Sequence, residues 1–117
     1  MTAMKHIGQV LGRGLPAMEG EDAAAFLQDF AVSDDGEKPI TCGLFRLESG
    51  KPLTYTYTYH EMKLIVDGEF EIADESGQKV KATAGDLFYF PKGSTITFTT
   101  PSFGVGFFCG QRGEGEA

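Results

Sequence analysis

The sequence predicts an all-β fold, a closed or jelly-roll β-barrel built from a single domain. Turn-forming residues interrupt the chain about every 8–12 residues, a spacing typical of sandwiches and barrels. The segments between them are rich in β-branched and aromatic residues, which favour strands. A length of 117 residues is that of one domain with a core of its own. We therefore treat residues 1–117 as one domain whose core spans roughly residues 38–110.

Strand-like segments follow one another along the chain at residues 4–10, 40–48, 52–59, 61–66, 69–74, 78–83, 86–90, 95–100 and 103–109. Asp67-Gly68 predicts a two-residue hairpin, because both central residues of such a turn adopt positive φ. Residues 21–30 fit either a short helix or a strand that enters the barrel. We expect residues 1–37, as strands or a short helix, to cover the barrel or a dimer interface. The glycines and glutamates at 113–116 have nothing apolar to bury and are expected to fray.

Charge and composition argue against several classes of function. The net charge of -7 disfavours nucleic acids and anionic membranes as partners, since both attract basic patches. No segment approaches the ~20 apolar residues of a membrane span, and the N-terminus lacks the apolar core of a signal peptide. Cys42 and Cys109, the only cysteines, form no metal or redox motif. We interpret them as free thiols of a cytoplasmic protein, with one structural disulfide as the alternative.

The segment LTYTYTYHEMKLIVDGEF, residues 53–70, combines strand alternation with ionisable side chains. Tyr55, Tyr57, Glu61 and Lys63 share one parity, and in a barrel strand one parity faces inward. A buried lysine requires a partner, and Glu61 is within reach. The pattern predicts a catalytic pocket with Glu61 as acid, base or acceptor, Lys63 as anion binder, base or nucleophile, and two phenols as donors. The alternative is a structural ion pair beside ordinary strand tyrosines.

The even-numbered residues of the same strand, which face the opposite side, are apolar. If Glu61 faces inward, Met62, Leu64 and Val66 form an outward stripe. An exposed stripe of this kind usually marks an interface or lies under a covering segment. We therefore expect a homodimer, or the N-terminal residues folded over this face.

Two segments resemble the two motifs of the cupin superfamily, G-x5-H-x-H-x3-E-x6-G and G-x5-P-x-G-x2-H-x3-N. The first is GKPLTYTYTYHEMKLIVDG, Gly50 to Gly68, and the second is GDLFYFPKG, Gly85 to Gly93. Glu61 and Gly68 fit the end of the first motif, and Pro91 fits the second. The resemblance covers most of the chain and implies a single cupin-type jelly-roll β-barrel.

The metal-binding part of these motifs is replaced. The three motif histidines fall on Tyr55, Tyr57 and Ile96, which leaves Glu61 as the one usual ligand. A lone carboxylate is a poor site for a transition metal, and a phenol must first lose a proton held with a pKa of about 10. No cofactor is predicted, and a divalent metal stays open as an alternative. Its ligands would be Glu61, Tyr55, Tyr57 and His60, the last of which is otherwise a solvated turn histidine.

Within the superfamily, YHEMKLIVDGEFEI and AGDLFYFPKGSTITFTTPS resemble the EutQ-like cupins of ethanolamine utilisation. That resemblance implies a dimeric barrel, a cytoplasmic setting and a link to ethanolamine catabolism, and an acetate kinase activity is attributed to the group. The sequence contains no Walker loop and no GxGxxG, which argues against conventional nucleotide binding. We expect a barrel that binds a small organic molecule, as a metal-independent acid–base enzyme of the lyase or isomerase type. The alternatives are a non-catalytic binding or sensing module and a metallo-cupin.

Overall fold

The computed structural model describes all 117 residues and contains eight β-strands. They are β1 Ala25–Val32, β2 Thr41–Glu48, β3 Leu53–Thr56, β4 Glu61–Ala73, β5 Lys79–Thr83, β6 Leu87–Phe90, β7 Thr95–Thr99 and β8 Phe103–Gly110. The one helical element is a 3-10 turn at Val10–Gly12. No helix has the length and apolar character that crossing a membrane requires. The all-β prediction is confirmed.

Two antiparallel sheets share the long strand β4. One sheet runs β1, β2, β8, the first half of β4 and β6, and the other runs β3, β7, the second half of β4 and β5. Their inner faces enclose the core, whose large side chains are Phe45, Leu47, Leu53, Ile65, Phe70, Ile72, Phe90, Ile96, Phe98 and Phe108. This is the rolled arrangement expected from the sequence, because it leaves one dry face on each strand.

The predicted hairpin at Asp67-Gly68 is wrong. One strand, Glu61–Ala73, replaces the two predicted segments, and its pairing with β8 slips between Ile65 and Asp67. Gly68 has a φ of 65°, whereas Asp67 does not have positive φ, so the pair does not form the hairpin turn; a β-bulge falls just before it, at Val66. A side chain at position 68 would also collide with the carbonyl oxygen of Phe103. The bulge bends β4, which lets its two halves belong to different sheets.

The N-terminal residues differ from the expectation in detail. No strand forms at residues 4–10, and the chain makes only an isolated bridge between Ala17 and Phe26 before β1 begins at Ala25. Within residues 21–30 the strand begins at Ala25, because pairing with β2 overrides the helical tendency of the alanines. The Arg13 guanidinium lies 5.7 Å from the ring centre of Phe30, so this segment covers β1.

The outer side of the first sheet carries an exposed apolar face. Met62 is 50% exposed and Leu64 is 38% exposed. In the strand register Met62 lies opposite Tyr89, and Leu64 lies opposite Leu87 and Phe107, all three of which are also exposed. We call these five residues the outer apolar face. The predicted outward orientation is confirmed, and the N-terminal segment leaves this face uncovered.

Candidate functional site

The turn from β3 to β4 brings the inward side chains of the two strands together. Tyr57 lies in this turn, where its N–H donates to Ser94 at 2.9 Å and its carbonyl accepts from Gly93 at 2.7 Å. These bonds fix the Tyr57 ring against the interior, where it is 3% exposed. Glu61 and Lys63 follow on β4, each 4% exposed. The predicted inward orientation of this face is confirmed, while its catalytic role stays a prediction.

Tyr57, Glu61 and Lys63 form a connected buried group. The Tyr57 hydroxyl donates to Oε2 of Glu61 at 2.5 Å, a short charge-assisted hydrogen bond. Lys63 Nζ lies 3.5 Å from the same oxygen. The ammonium also lies 4.4 Å from the ring centre of Phe45 and 4.5 Å from that of Phe98, within cation–π range. The carboxylate is thus held between a phenol and an amine on a floor of aromatic rings.

Burial shifts the proton affinities of this group. Desolvation lowers the pKa of Lys63, and the Glu61 carboxylate opposes that shift only in part. Burial raises the pKa of Tyr57 well above 10, and the charge of Glu61 raises it further. Tyr57 is therefore a fixed hydrogen-bond donor at neutral pH, whereas the Lys63 amine gives up its proton more readily than a surface lysine does.

Two further tyrosines complete one side of the cavity. The hydroxyls of Tyr55 and Tyr59 lie 3.1 Å apart. The Tyr55 and Tyr57 rings meet edge to face at 4.7 Å, and those of Tyr57 and Tyr59 meet at 5.5 Å. Burial and the bond to Tyr55 raise the pKa of Tyr59, so it too stays protonated. Tyr59 lies in the turn, where strand alternation does not fix its direction, and the structure places it in the site.

Arg112 is a site residue that the sequence analysis missed. Its guanidinium forms a bidentate pair with Asp29, at 2.9 and 2.8 Å. Its Nε–H is buried and has no hydrogen-bond partner. Burial would lower the pKa of Arg112, but the paired Asp29 outweighs this and raises it. Likewise, burial would raise the pKa of Asp29, yet the bonds from Arg112 and Gly115 hold it below its usual range.

Residues 113–117 fold over the open end of the barrel instead of fraying. The Gly115 N–H donates to Asp29 Oδ2 at 2.8 Å, on the carboxylate that also pairs with Arg112. The Gly113 N–H donates to the Glu116 carboxylate at 2.5 Å, which closes a small loop. Ala117 then lies against the cavity. We call residues 113–117 the tail cover.

The inward polar groups line a small cavity of about 30 Å³. Its walls are Met18, Leu27, Phe45, Leu53, Tyr55, Tyr57, Tyr59, Glu61, Lys63, Phe98, Phe108, Arg112 and Ala117. A volume of this size holds about one water molecule. The cavity thus has the composition of a ligand site, a mostly apolar wall with a few convergent polar groups, but is too small for an organic molecule.

His60 does not join the cavity. It is exposed, and its Nδ1 lies 2.9 Å from the Tyr89 hydroxyl and accepts from the Lys92 N–H at 3.1 Å. Of the candidate metal set Glu61, Tyr55, Tyr57 and His60, the structure separates His60 from the other three, because the turn directs the imidazole outward. The chain contains no group of three His, Cys, Asp or Glu side chains placed to hold a metal ion. A carboxylate already shared by an amine and a protonated phenol does not fit a cupin metal.

Comparison with known proteins gives a family match over most of the chain. The profile of the family described as "Ethanolamine utilisation protein EutQ" matches residues 15–108. The protein "Acetate kinase EutQ" of Escherichia coli (strain K12) is 36% identical over 76 residues, which are 65% of this chain and 31% of that protein. Its namesake in Clostridioides difficile (strain 630) is 34% identical over 64 residues, 55% of this chain and 40% of that protein. The chain spans less than half the length of these curated relatives.

Solved structures agree on the fold. An ethanolamine utilization protein Q from Salmonella typhimurium LT2 superposes with a TM-score of 0.73 at 26% identity, over 86% of this chain and 80% of that one. A Cupin 2 conserved barrel domain protein from Salinispora arenicola CNS-205 superposes with a TM-score of 0.69 at 17% identity, over 95% of this chain and 91% of that one. The polyketide cyclase RemF from Streptomyces resistomycificus superposes with a TM-score of 0.76 at 12% identity, over 92% of this chain and 79% of that one. The predicted cupin barrel is confirmed.

Proposed function

Because this chain belongs to the EutQ family, we propose that its cupin barrel binds a small organic molecule and acts on it by metal-independent acid–base chemistry. The observation that carries the proposal is the buried contact of Glu61 with both Tyr57 and Lys63. Perturbed ionisable groups in a mostly apolar cavity are typical of catalytic sites.

The three side chains suit a reaction that removes a proton at one position and returns it at another. Tyr57 keeps its proton, because its pKa is raised well above 10, and holds Glu61 in place through its hydrogen bond. Lys63, whose pKa is lowered by burial, is the proton acceptor. Glu61 contacts both Tyr57 and Lys63, and its negative charge offsets the positive charge of Lys63 when that amine holds a proton. A positioned base of this kind suits lyase and isomerase reactions that move a proton.

Ligand entry requires the tail cover to move. A cavity of about 30 Å³ holds one water molecule, not an organic molecule. Two of the five residues of the tail cover are glycines, which makes it the wall of the cavity with the most flexible backbone by composition. Once it is displaced, the unpartnered Nε–H of Arg112 is available to an acceptor atom of the ligand.

A panel of short carboxylic acids, oxo acids, hydroxy acids and amines tests this proposal by thermal shift. The test variant is the double substitution Glu61→Gln with Lys63→Met, which removes both charges and keeps the volume. The control is Thr56→Val on the exposed face of β3. We expect a compound that raises the Tm of the wild type and the control but not of the double variant. An equal rise in all three contradicts the proposal. Mass spectrometry of the bound compound separates catalysis, with product formed, from the alternative of a binding module.

The name of the curated relatives favours a second candidate, phosphoryl transfer between a nucleotide and acetate. Two cationic side chains, Lys63 and Arg112, line the cavity and suit an anion. Incubation with ATP, Mg²⁺ and acetate, with hydroxylamine to trap acetyl phosphate, tests it. Turnover in the wild type that is lost in the double variant supports this candidate over acid–base chemistry.

The homodimer and the cytoplasmic setting belong to this proposal as well. The outer apolar face is continuous across β6, β4 and β8, and β6 is the edge strand of its sheet. A second copy related by a two-fold axis would cover it with the same five side chains. Two free thiols support a reducing compartment.

A further inference from the structure

Cys42 on β2 and Cys109 on β8 are directly opposite partners in the strand register. Both are half-buried free thiols, and the chain has no other cysteine. Thr41 and Phe108, their sequence neighbours, are buried in the interior. Strand alternation therefore places both thiols on the same outer side of the sheet.

The hydrogen bonds around this pair define its geometry. Glu48 N–H donates toward β1, to Ala24, so the even-numbered residues of β2 direct their backbone groups to β1. Gln111 N–H donates toward β4, to His60, so the odd-numbered residues of β8 direct theirs to β4. The two cysteines thus form a non-hydrogen-bonded pair, in which the Cα atoms are about 4.5 Å apart and the side chains are closest. Disulfides form at Cα separations of about 4.4–6.8 Å.

We propose that Cys42 and Cys109 form a dithiol site that reacts with small-molecule disulfides and closes to an intramolecular disulfide. A surface groove of about 260 Å³ leads to both thiols and is lined by Ala31, Val32, Ser33, Ile40, Cys42 and Cys109. It lies on the β1 and β2 side of the pair, whereas Met62 of the outer apolar face lies on the other side, on β4. Access through the groove is therefore independent of that face.

The reaction is two successive exchanges. The Cys42 thiolate attacks one sulfur of the reagent disulfide, forms a mixed disulfide and expels one thiolate. The Cys109 thiolate then attacks Sγ of Cys42, forms the protein disulfide and expels the second thiolate, and the two expelled thiolates take up the two protons that the cysteines lost. The protein loses two electrons, and one reagent disulfide becomes two thiols. Burial raises the pKa of Cys109, which makes it the slower first nucleophile.

Oxidised glutathione is the probe, added to the reduced, folded wild type at mildly alkaline pH. We expect a mass lower by two hydrogens, two thiols lost, and two reduced glutathiones released per chain. Cys109→Ser should stop at the mixed disulfide on Cys42, and Cys42→Ser should react more slowly. A wild type that accumulates stable glutathione adducts, or reacts no faster than the Cys42→Ser variant, overturns the proposal.

Phenylarsine oxide gives a second measurement that does not depend on disulfide strain. It binds two neighbouring thiols through two As–S bonds and releases one water. We expect one arsenical per wild-type chain, resistant to a monothiol competitor at a concentration that strips it from either single variant. Stripping the wild type and the variants at the same concentration overturns the juxtaposition of the two thiols.

Discussion

Lys63 Nζ lies 3.5 Å from Oε2 of Glu61, two residues earlier on the same strand face, and both side chains are only 4% exposed. Removing two charges from water costs several kcal/mol per ion, and their attraction repays this only with good geometry. Two apolar residues of the same volume would stabilise the barrel at least as well. The pair is therefore better explained by what it does in the cavity than by stability.

The first prediction is that Glu61 and Lys63 are energetically coupled. Lys63→Met leaves the Glu61 carboxylate buried with Tyr57 as its one partner, and we expect a loss of about 3 kcal/mol in the free energy of unfolding. The double variant with Glu61→Gln should recover part of this, with a coupling energy of about 1–3 kcal/mol. Urea unfolding of the single and double variants measures it. Additive effects would show that the two side chains do not interact.

The second prediction concerns pH. The pKa of Lys63 is lowered in the folded state from its model-peptide value of 10.5, so between the two values the unfolded chain binds more protons. Stability from this residue therefore rises as pH increases toward 10.5 and is lost as pH falls through that window. The raised pKa values of Tyr57 and Tyr59 affect stability only above about pH 10. There the folded chain binds more protons than the unfolded chain, so stability falls as the pH rises. The wild type should gain urea resistance relative to Lys63→Met as the pH rises toward 10.5. Parallel curves of stability against pH for the wild type and Lys63→Met would contradict the buried environment of Lys63.

The third prediction concerns the tail cover. Gly115→Pro removes the N–H that binds Asp29, so the cover should open and expose Lys63 to an amine-reactive ester. Peptide mapping should show Lys63 modified at least about tenfold more slowly than exposed Lys51 in the wild type, and several-fold faster in the variant. Glu114→Ala, at an exposed position of the same segment, is the matched control. A Lys63 rate that Gly115→Pro leaves unchanged would show that ligands enter elsewhere.

The fourth prediction concerns assembly. Met62→Lys places a charge at the centre of the outer apolar face, and burying it in a dimer would be costly. Light scattering after size exclusion should give a dimer for the wild type and a monomer for the variant. Thr54→Lys, exposed on the outer side of the second sheet, should stay dimeric. A monomeric wild type, or a dimer that Met62→Lys does not change, rules this face out as the interface.

The inward face of the site was predictable because strand alternation is a local property. Tyr57, Glu61 and Lys63 keep one parity although the chain turns at residues 57–60, since β4 starts again with Glu61 pointing inward. The Asp67-Gly68 prediction failed because a glycine with positive φ also occurs inside a strand that bends beside a bulge, and only the partner strand decides between this and a hairpin.

The remaining features depend on strand order, which the sequence does not display. Arg112 and Asp29 are 83 residues apart, and they meet because β1 and the end of β8 reach the same end of the barrel. Cys42 and Cys109 become neighbours only when β8 returns beside β2. No local spacing indicates either contact.

The most direct test of the central claim is a chemical-shift map of the ¹⁵N-labelled protein titrated with pooled short acids and amines. We predict that the amide signals that move first belong to Tyr57, Glu61, Lys63 and Arg112, with the signals of residues 113–117 changing as the tail cover opens. Shifts confined to the outer apolar face or to exposed loops, with the barrel interior unchanged at saturating ligand, would contradict a binding site in this cavity.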